Sequence, residues 1–306
     1  MAKTKKKTKP ARAPLPAWKK TLFIGASVLL PIVAIGAVEM MLRLFGLGGH
    51  PATFRTVANT PDGGSVVLTQ NDGPASFFFR NRRLPGNLHA TGFRMPRPEG
   101  TVRVMLCGAS AIKGFPQNRA WAPSAFLEVM LEDAWGRDVE VINLGVTAIA
   151  SFPVSEILAE AVAYEPDLIV IYAGHNEFFG AYGVGSLVKA GNSPGVIRAQ
   201  RRARSLALFQ VVDNLLVGQG PEPEKGRTLM ELMIGETYVA PDDPLRDAAA
   251  GNLEAFIGDM IDTCDRSGVP VMVCTLPINE RGLAPIGTSL VPSSVDAARF
   301  DRHHAL

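Results

Sequence analysis

Residues 21–38 read TLFIGASVLLPIVAIGAV, eighteen positions without a charge. A run of that length and composition matches the lower end of what crosses a hydrocarbon core as a helix, where the backbone satisfies its own polar groups. Its flank sets a direction. Lys3, Lys5, Lys6, Lys7, Lys9, Arg12, Lys19 and Lys20 crowd the preceding residues with no acid among them, and such a block stays on the cytoplasmic side. Residues 21–45 therefore read as a single-pass transmembrane signal anchor, with a cytoplasmic N-terminus and a periplasmic or extracellular main domain. Glu39 and Arg43 close the uncharged run, while Leu42, Leu44, Phe45 and Leu47 carry the helix into the interface. A cleaved signal peptide shares the basic flank, but this stretch exceeds a usual signal core and no A-x-A site follows. A buried core helix fits poorly beside a Lys-rich tail.

The net charge of +2, from 31 basic and 29 acidic residues, belongs to that tail. The remainder is mildly acidic, which excludes a polyanion such as nucleic acid as the implied partner. With 47% hydrophobic residues and 20% charged over 306 positions, the rest of the chain folds around a sizeable core. Cys107, Cys264 and Cys274 fit no zinc or redox spacing and no disulfide framework; they read as small core residues. No metal and no cofactor is implied, since neither a G-x-x-x-x-G-K-[ST] loop nor a G-x-G-x-x-G after a strand is present.

Four blocks follow: a basic tail (1–20), the membrane helix (21–45), an irregular juxtamembrane segment (46–100) and a domain (101–306) interrupted by an insertion (180–241). The juxtamembrane segment is rich in Gly, Pro, Asn and Arg, with β-like pieces at Ser65–Thr69 and 76–80 that predict a hairpin or two. Residues 102–107 (VRVMLC), Val139–Asn143, 167–172 (DLIVIY) and 269–275 (VPVMVCT) read as buried strands. Between them, 122–133, 155–164 and Pro244–Arg266 show helical spacing, the last ending at Ser267-Gly268. Strands alternating with helices predict an α/β domain, a parallel sheet with helices on both faces. In such a sheet, ligands bind beyond the carboxyl ends of the strands. The first strand there delivers Gly108-Ala109-Ser110 with Gly114 close behind, the second Asn143-Leu144-Gly145, the third Gly174-His175-Asn176-Glu177-Phe178. Each has a plain reading alone: a βα turn, a strand-end glycine, a helix cap.

Together, in this order, they resemble the SGNH (GDSL-like) hydrolase family. Its first block is similar to Gly108-Ala109-Ser110 and Gly114, its second to Val141-Ile142-Asn143-Leu144-Gly145, and its third to the 166–171 run PDLIVI with Gly174-His175-Asn176. The G-H-N-E-F sequence resembles membrane-anchored bacterial members with a helical-repeat extension. The resemblance implies a three-layer, flavodoxin-like form of the α/β sheet. It also implies Ser110 as nucleophile, with the backbone N–H groups of Ser110 and Gly145 and the Asn176 amide as an oxyanion hole. The chemistry is coherent, since a serine hydroxyl needs a base and a tetrahedral oxyanion needs several preorganised donors. Ala109 departs from the family's Asp before the Ser, which leaves the nucleophile intact.

The fourth block, D-x-x-H, supplies the base. Its literal match is Asp301-Arg302-His303-His304, two residues before the chain ends. The interval 278–300 reads without a strand, so two alternatives stand: Asp301 and His304 are the pair, or the stretch begins a helix and the chain stops ahead of the true block. His175 reads as packing rather than catalytic, and His50 and His89 as solvated. Finally, the basic run 198–204 followed by 205–216 is amphipathic. It is either a solvated helical face or an interfacial helix on the membrane.

Two functions follow. One is an extracytoplasmic ester hydrolase or O-acyl transferase acting on an ester, an acylated envelope glycan or a lipid. The other is an envelope scaffold or binding protein on the same fold, catalytically incomplete.

Overall fold

A computed structural model describes residues 16–47, 52–70, 78–79, 88–188, 191–217, 230–234, 239–240 and 242–277. Helix α1 (Ala17–Leu44) contains the whole uncharged run and extends it at both ends. None of its residues is buried, although Pro31 sits inside it. Its apolar side chains have no protein core to enter. Among the described residues it is the one helix long and apolar enough to cross a membrane.

After α1 the chain forms a small antiparallel sheet of β1 (Phe54–Asn59), β2 (Ser65–Thr69) and β3 (Gly92–Met95), with β2 in the middle. The expected piece at Ser65–Thr69 is thus a strand. At 76–80 the described Phe78 and Phe79 are helical, and the other three residues lie outside the description. This sheet docks on the main domain through aromatics: the Phe54 ring lies 4.2 Å from Tyr164 and that of Phe93 lies 5.8 Å from it. The Thr53 N–H donates to Glu160 at 2.7 Å.

The main sheet is fully parallel. Strands β4 (Val102–Gly108), β5 (Val139–Asn143), β6 (Leu168–Tyr172) and β7 (Val271–Val273) lie in the order β5-β4-β6-β7. β4 pairs with β5 from Val102↔Val139 to Leu106↔Asn143, and with β6 from Val104↔Leu168 to Gly108↔Tyr172. Alternation along β4 sorts its side chains onto two faces. Val104 and Leu106 pack with Val141, Val170, Leu127 and Leu131, which brings helix α3 (Pro123–Trp135) onto one face. Met105 and Cys107 join Ile142, Ile169, Ile171, Leu158 and Phe256, so α4 (Ser151–Ala161) and α7 (Pro244–Arg266) cover the other. Helices lie on both faces, as the strand–helix alternation predicts. Cys107 and Cys264 are buried in this layer and Cys274 is half-buried, all unbridged.

Arg103 on β4 is wholly buried, which is costly for a charge unless it is paired and hydrogen-bonded. Its guanidinium meets Glu140 at 2.8 Å, donates to the carbonyls of Tyr164 and Arg94 at 2.7 Å each, and covers the Phe93 ring at 4.7 Å. It joins the two sheets.

The insertion carries α5 (Pro194–Arg204) and α6 (Ala207–Val217). Arg198 pairs with Asp259 on α7 and Arg201 with Glu156 on α4, each within 2.7 Å, and Arg204 donates to the Tyr182 hydroxyl at 2.6 Å. Three of the four arginines of α5 are therefore turned toward the domain, and Arg202 is exposed.

Candidate active site

Because β4 lies between β5 and β6, the loops leaving these three strands are neighbours at the carboxyl edge of the sheet. The residues that bring β4 to its end explain the local turn. A Cβ on Gly108 would stand 2.2 Å from the Tyr172 carbonyl oxygen. Glycine there lets β4 and β6 stay paired up to the last residue. One residue later Ala109, extended at φ −99 and ψ −152, releases the chain into a single helical turn, α2 (Ser110–Lys113). Ser110 is its first residue and half-buried. Gly114 closes the turn in the left-handed region at φ 84, where its own Cβ would meet Ala122 at 2.7 Å.

Gly145 sits directly against that turn. A Cβ on it would lie 2.5 Å from the Lys113 nitrogen and 2.8 Å from Ile112 Cγ2. The contact is organised by Asn143, nearly fully buried at the end of β5. Its amide donates to the Ile112 carbonyl at 2.8 Å and to Ser124 Oγ at 3.1 Å, while its Oδ1 accepts the Gly145 N–H at 2.9 Å. One side chain thus holds the Ser110 turn, α3 and the β5 loop together. In this arrangement the Gly145 N–H is engaged by Asn143.

The third block folds onto the same loop. Asn176 is buried, and its amide donates to the Ile149 carbonyl at 3.0 Å. Next to it Glu177, also buried, accepts the Ser151 N–H at 2.7 Å and the Ser151 hydroxyl at 2.9 Å. Burial raises its carboxyl to about 7 against the pull of those two donors. The β6 loop is therefore tied to the β5–α4 loop through both residues. Gly180 and Gly183 close the loop so tightly that a Cβ on either would fall within 3 Å of the Asn176 backbone oxygen.

Ser110, Gly145 and Asn176 are brought to one edge by adjacent strands. Asp301 and His304 lie outside the described residues, as does His50. His175 is not in the core: it is exposed, with its ring edge-on to Tyr172 at 5.0 Å. His89 is not simply solvated either. It is half-buried, its Nε2 lies 3.1 Å from the Lys113 carbonyl, and burial lowers its pKa. The sequence signal was absent, because the contact spans 24 residues. Lys113, one turn from Ser110, was also missed; burial brings its ammonium down to about 8. Both place titratable groups beside the Ser110 turn. Among the described residues no cluster of His, Cys, Asp and Glu has the arrangement of a metal site.

No protein-family model matches the chain, and no curated protein matches it. Several solved structures are similar. AlinE4, described as an SGNH-hydrolase family esterase, is alike over 68% of this chain and 98% of its own, at 14% identity and a TM-score of 0.31. TesA is alike over 55% of this chain and 76% of its own, at 17% identity and a TM-score of 0.26. A lipase/acylhydrolase from Enterococcus faecalis covers 56% of this chain and 74% of its own, at 17% identity and a TM-score of 0.27.

Proposed function

We propose that the chain is a membrane-anchored, extracytoplasmic serine ester hydrolase or O-acyl transferase, with Ser110 as nucleophile. The observation that carries the reading is that Ser110 opens the turn just past the end of β4, while the loops carrying Gly145 and Asn176 leave the strands on either side of it. The Ser110 oxygen would attack an acyl carbonyl and pass its proton to a base. The carbonyl oxygen, now negative, would accept from the N–H groups of Ser110 and Gly145 and from the Asn176 amide. A charged oxygen is a stronger acceptor than the neutral Asn143 carboxamide that engages the Gly145 N–H. The leaving alcohol takes a proton, and water or a second hydroxyl then resolves the acyl-serine, giving hydrolysis or transfer. An anchor at 21–45 would keep the site beside the membrane, which favours an acylated envelope glycan or a lipid as substrate.

The test is hydrolysis of a small activated ester by the full-length chain in detergent. Ser110→Ala should reduce the rate to background. Asn176→Ala should reduce it by about 10²–10³-fold, the usual cost of one oxyanion donor. His304→Ala decides the base: abolition assigns it to Asp301 and His304, whereas an unchanged rate places it elsewhere. A rate indifferent to Ser110→Ala would favour the catalytically incomplete scaffold.

A further inference from the structure

The end of α1 is clamped to the insertion by two charges. The Glu39 carboxylate accepts the N–H groups of Ala207 and Leu208 at 2.9 Å each, through its two oxygens. These are the first donors of α6, which have no acceptor within their own helix. One turn on, Arg43 pairs with Glu39 at 2.6 Å and donates to the Ser205 carbonyl at 2.9 Å, at the end of α5. An anion thus meets a helix N-terminus and a cation a helix C-terminus, the favourable sense for both dipoles.

That clamp fixes a depth. The uncharged residues 21–38 rise about 27 Å at 1.5 Å per residue, against a hydrocarbon core of about 30 Å. With 21–38 in the bilayer, Glu39, the next residue, would stand at the outer hydrocarbon boundary, where α6 begins. What α6 shows to its surroundings suits that level. Phe209, Val212, Leu215 and Leu216 follow helical spacing and are exposed by 41%, 45%, 81% and 81%. A soluble surface would present the reverse, because here Arg198, Arg201 and Arg204 of α5 are paired to the domain while the apolar side of α6 points away. An eleven-residue helix is marginal in water without packing for its apolar face.

We infer that α6 is an interfacial helix, its Phe209, Val212, Leu215 and Leu216 face seated in the acyl chains at the outer surface of the bilayer beside α1. The inference rests on the reading of 21–45 as a membrane anchor. It adds a second, non-spanning contact that sets how the domain stands on the membrane.

The test uses the full 306-residue chain reconstituted in vesicles of phosphatidylcholine and phosphatidylglycerol. Cys274→Ser removes the half-buried thiol and leaves the buried Cys107 and Cys264. A nitroxide is placed in turn at Leu216→Cys, at Gly36→Cys within α1, where a side chain meets nothing within 4 Å, and at Asp133→Cys on exposed α3. Collision with dissolved oxygen, which partitions into lipid, is compared with collision with an aqueous nickel chelate. The expected result is oxygen-favoured relaxation at Leu216 and Gly36, several-fold over nickel, with the ratio inverted at Asp133. A Gly36 label in lipid with a Leu216 label in water would overturn the inference and leave the anchor intact. A Leu216 label shielded from both agents would also overturn it, because a protein surface would then cover the helix. A Gly36 label in water would overturn the anchor and the inference together.

Discussion

Gly145 and Gly258 respond to an added methyl group in opposite ways. Gly145 is in contact with the Ser110 turn, so Gly145→Ala must push α2 away from the β5 loop or break the Asn143 bridge. Overpacking of this kind costs about 1–3 kcal/mol, read as a lower thermal midpoint with a matching loss of esterase rate. Gly258 lies inside α7 with open space where its Cβ would be. Gly258→Ala should stabilise the chain by about 0.5–1 kcal/mol and leave the rate unchanged, since alanine loses less freedom in a helix. Glu177 makes a different prediction. Its carboxyl titrates near 7 in the fold against an ordinary 4.5, so between those values the folded chain holds a proton that the unfolded chain has lost. Its contribution is therefore full below 4.5, falls as pH rises through that window, and is level above 7. Urea midpoints at pH 5 and pH 8 measure it: the native chain should lose stability across the pair, and Glu177→Gln should reduce the difference, leaving the share of Glu156, which burial also raises to about 7. An unchanged pH dependence in the variant would remove Glu177 from the titration.

Elements whose signals are local were legible. Val139–Asn143 and Pro244–Arg266 have the bounds that hydrophobic runs and stop signals predict, and β4 and β6 differ from expectation by one residue each. The strand order followed from the blocks only in part; what places Ser110 centrally is the pairing of β4 with both β5 and β6, a long-range property. β1 and β3 were not legible. β1 is buried only at Phe54, and β3 is four residues long and reaches β2 across more than twenty residues of chain, so neither shows the alternation of an independent strand. Arg103 hid for a related reason. Residues 102–107 read as a buried strand with nothing local to partner its charge, and the partners come from three separate segments around residues 94, 140 and 164. Removing it would leave Glu140 and two carbonyls without their donor, so Arg103→Ala should cost about 3–5 kcal/mol, as loss of one partner of a buried pair does. Differential scanning calorimetry gives the number, and trypsin cutting within 55–95 should accelerate because the small sheet loses its tie. At the candidate site the sequence blocks name Ser110, Gly145 and Asn176, while Asn143 as the bridge, and His89 and Lys113 as neighbours of the turn, became visible only once the loops were packed.

At the scale of the whole molecule, the chain has a membrane-compatible helix joined to the insertion by Glu39 and Arg43 and a parallel-sheet domain with three strand-end blocks along one edge. If 21–45 spans the membrane with the basic tail inside, that edge and Ser110 lie outside the cytoplasm. Nucleophile and topology can be read together with a membrane-impermeant fluorophosphonate applied to spheroplasts expressing the full chain, followed by mass analysis of the modified peptide. A serine activated by a base and an oxyanion site forms a stable phosphonyl ester, whereas ordinary serines do not. The expected result is a single adduct on Ser110 in intact spheroplasts, absent from Ser110→Ala. Adduct formation only after lysis would contradict the topology, and no adduct on Ser110 under either condition would contradict its role as nucleophile.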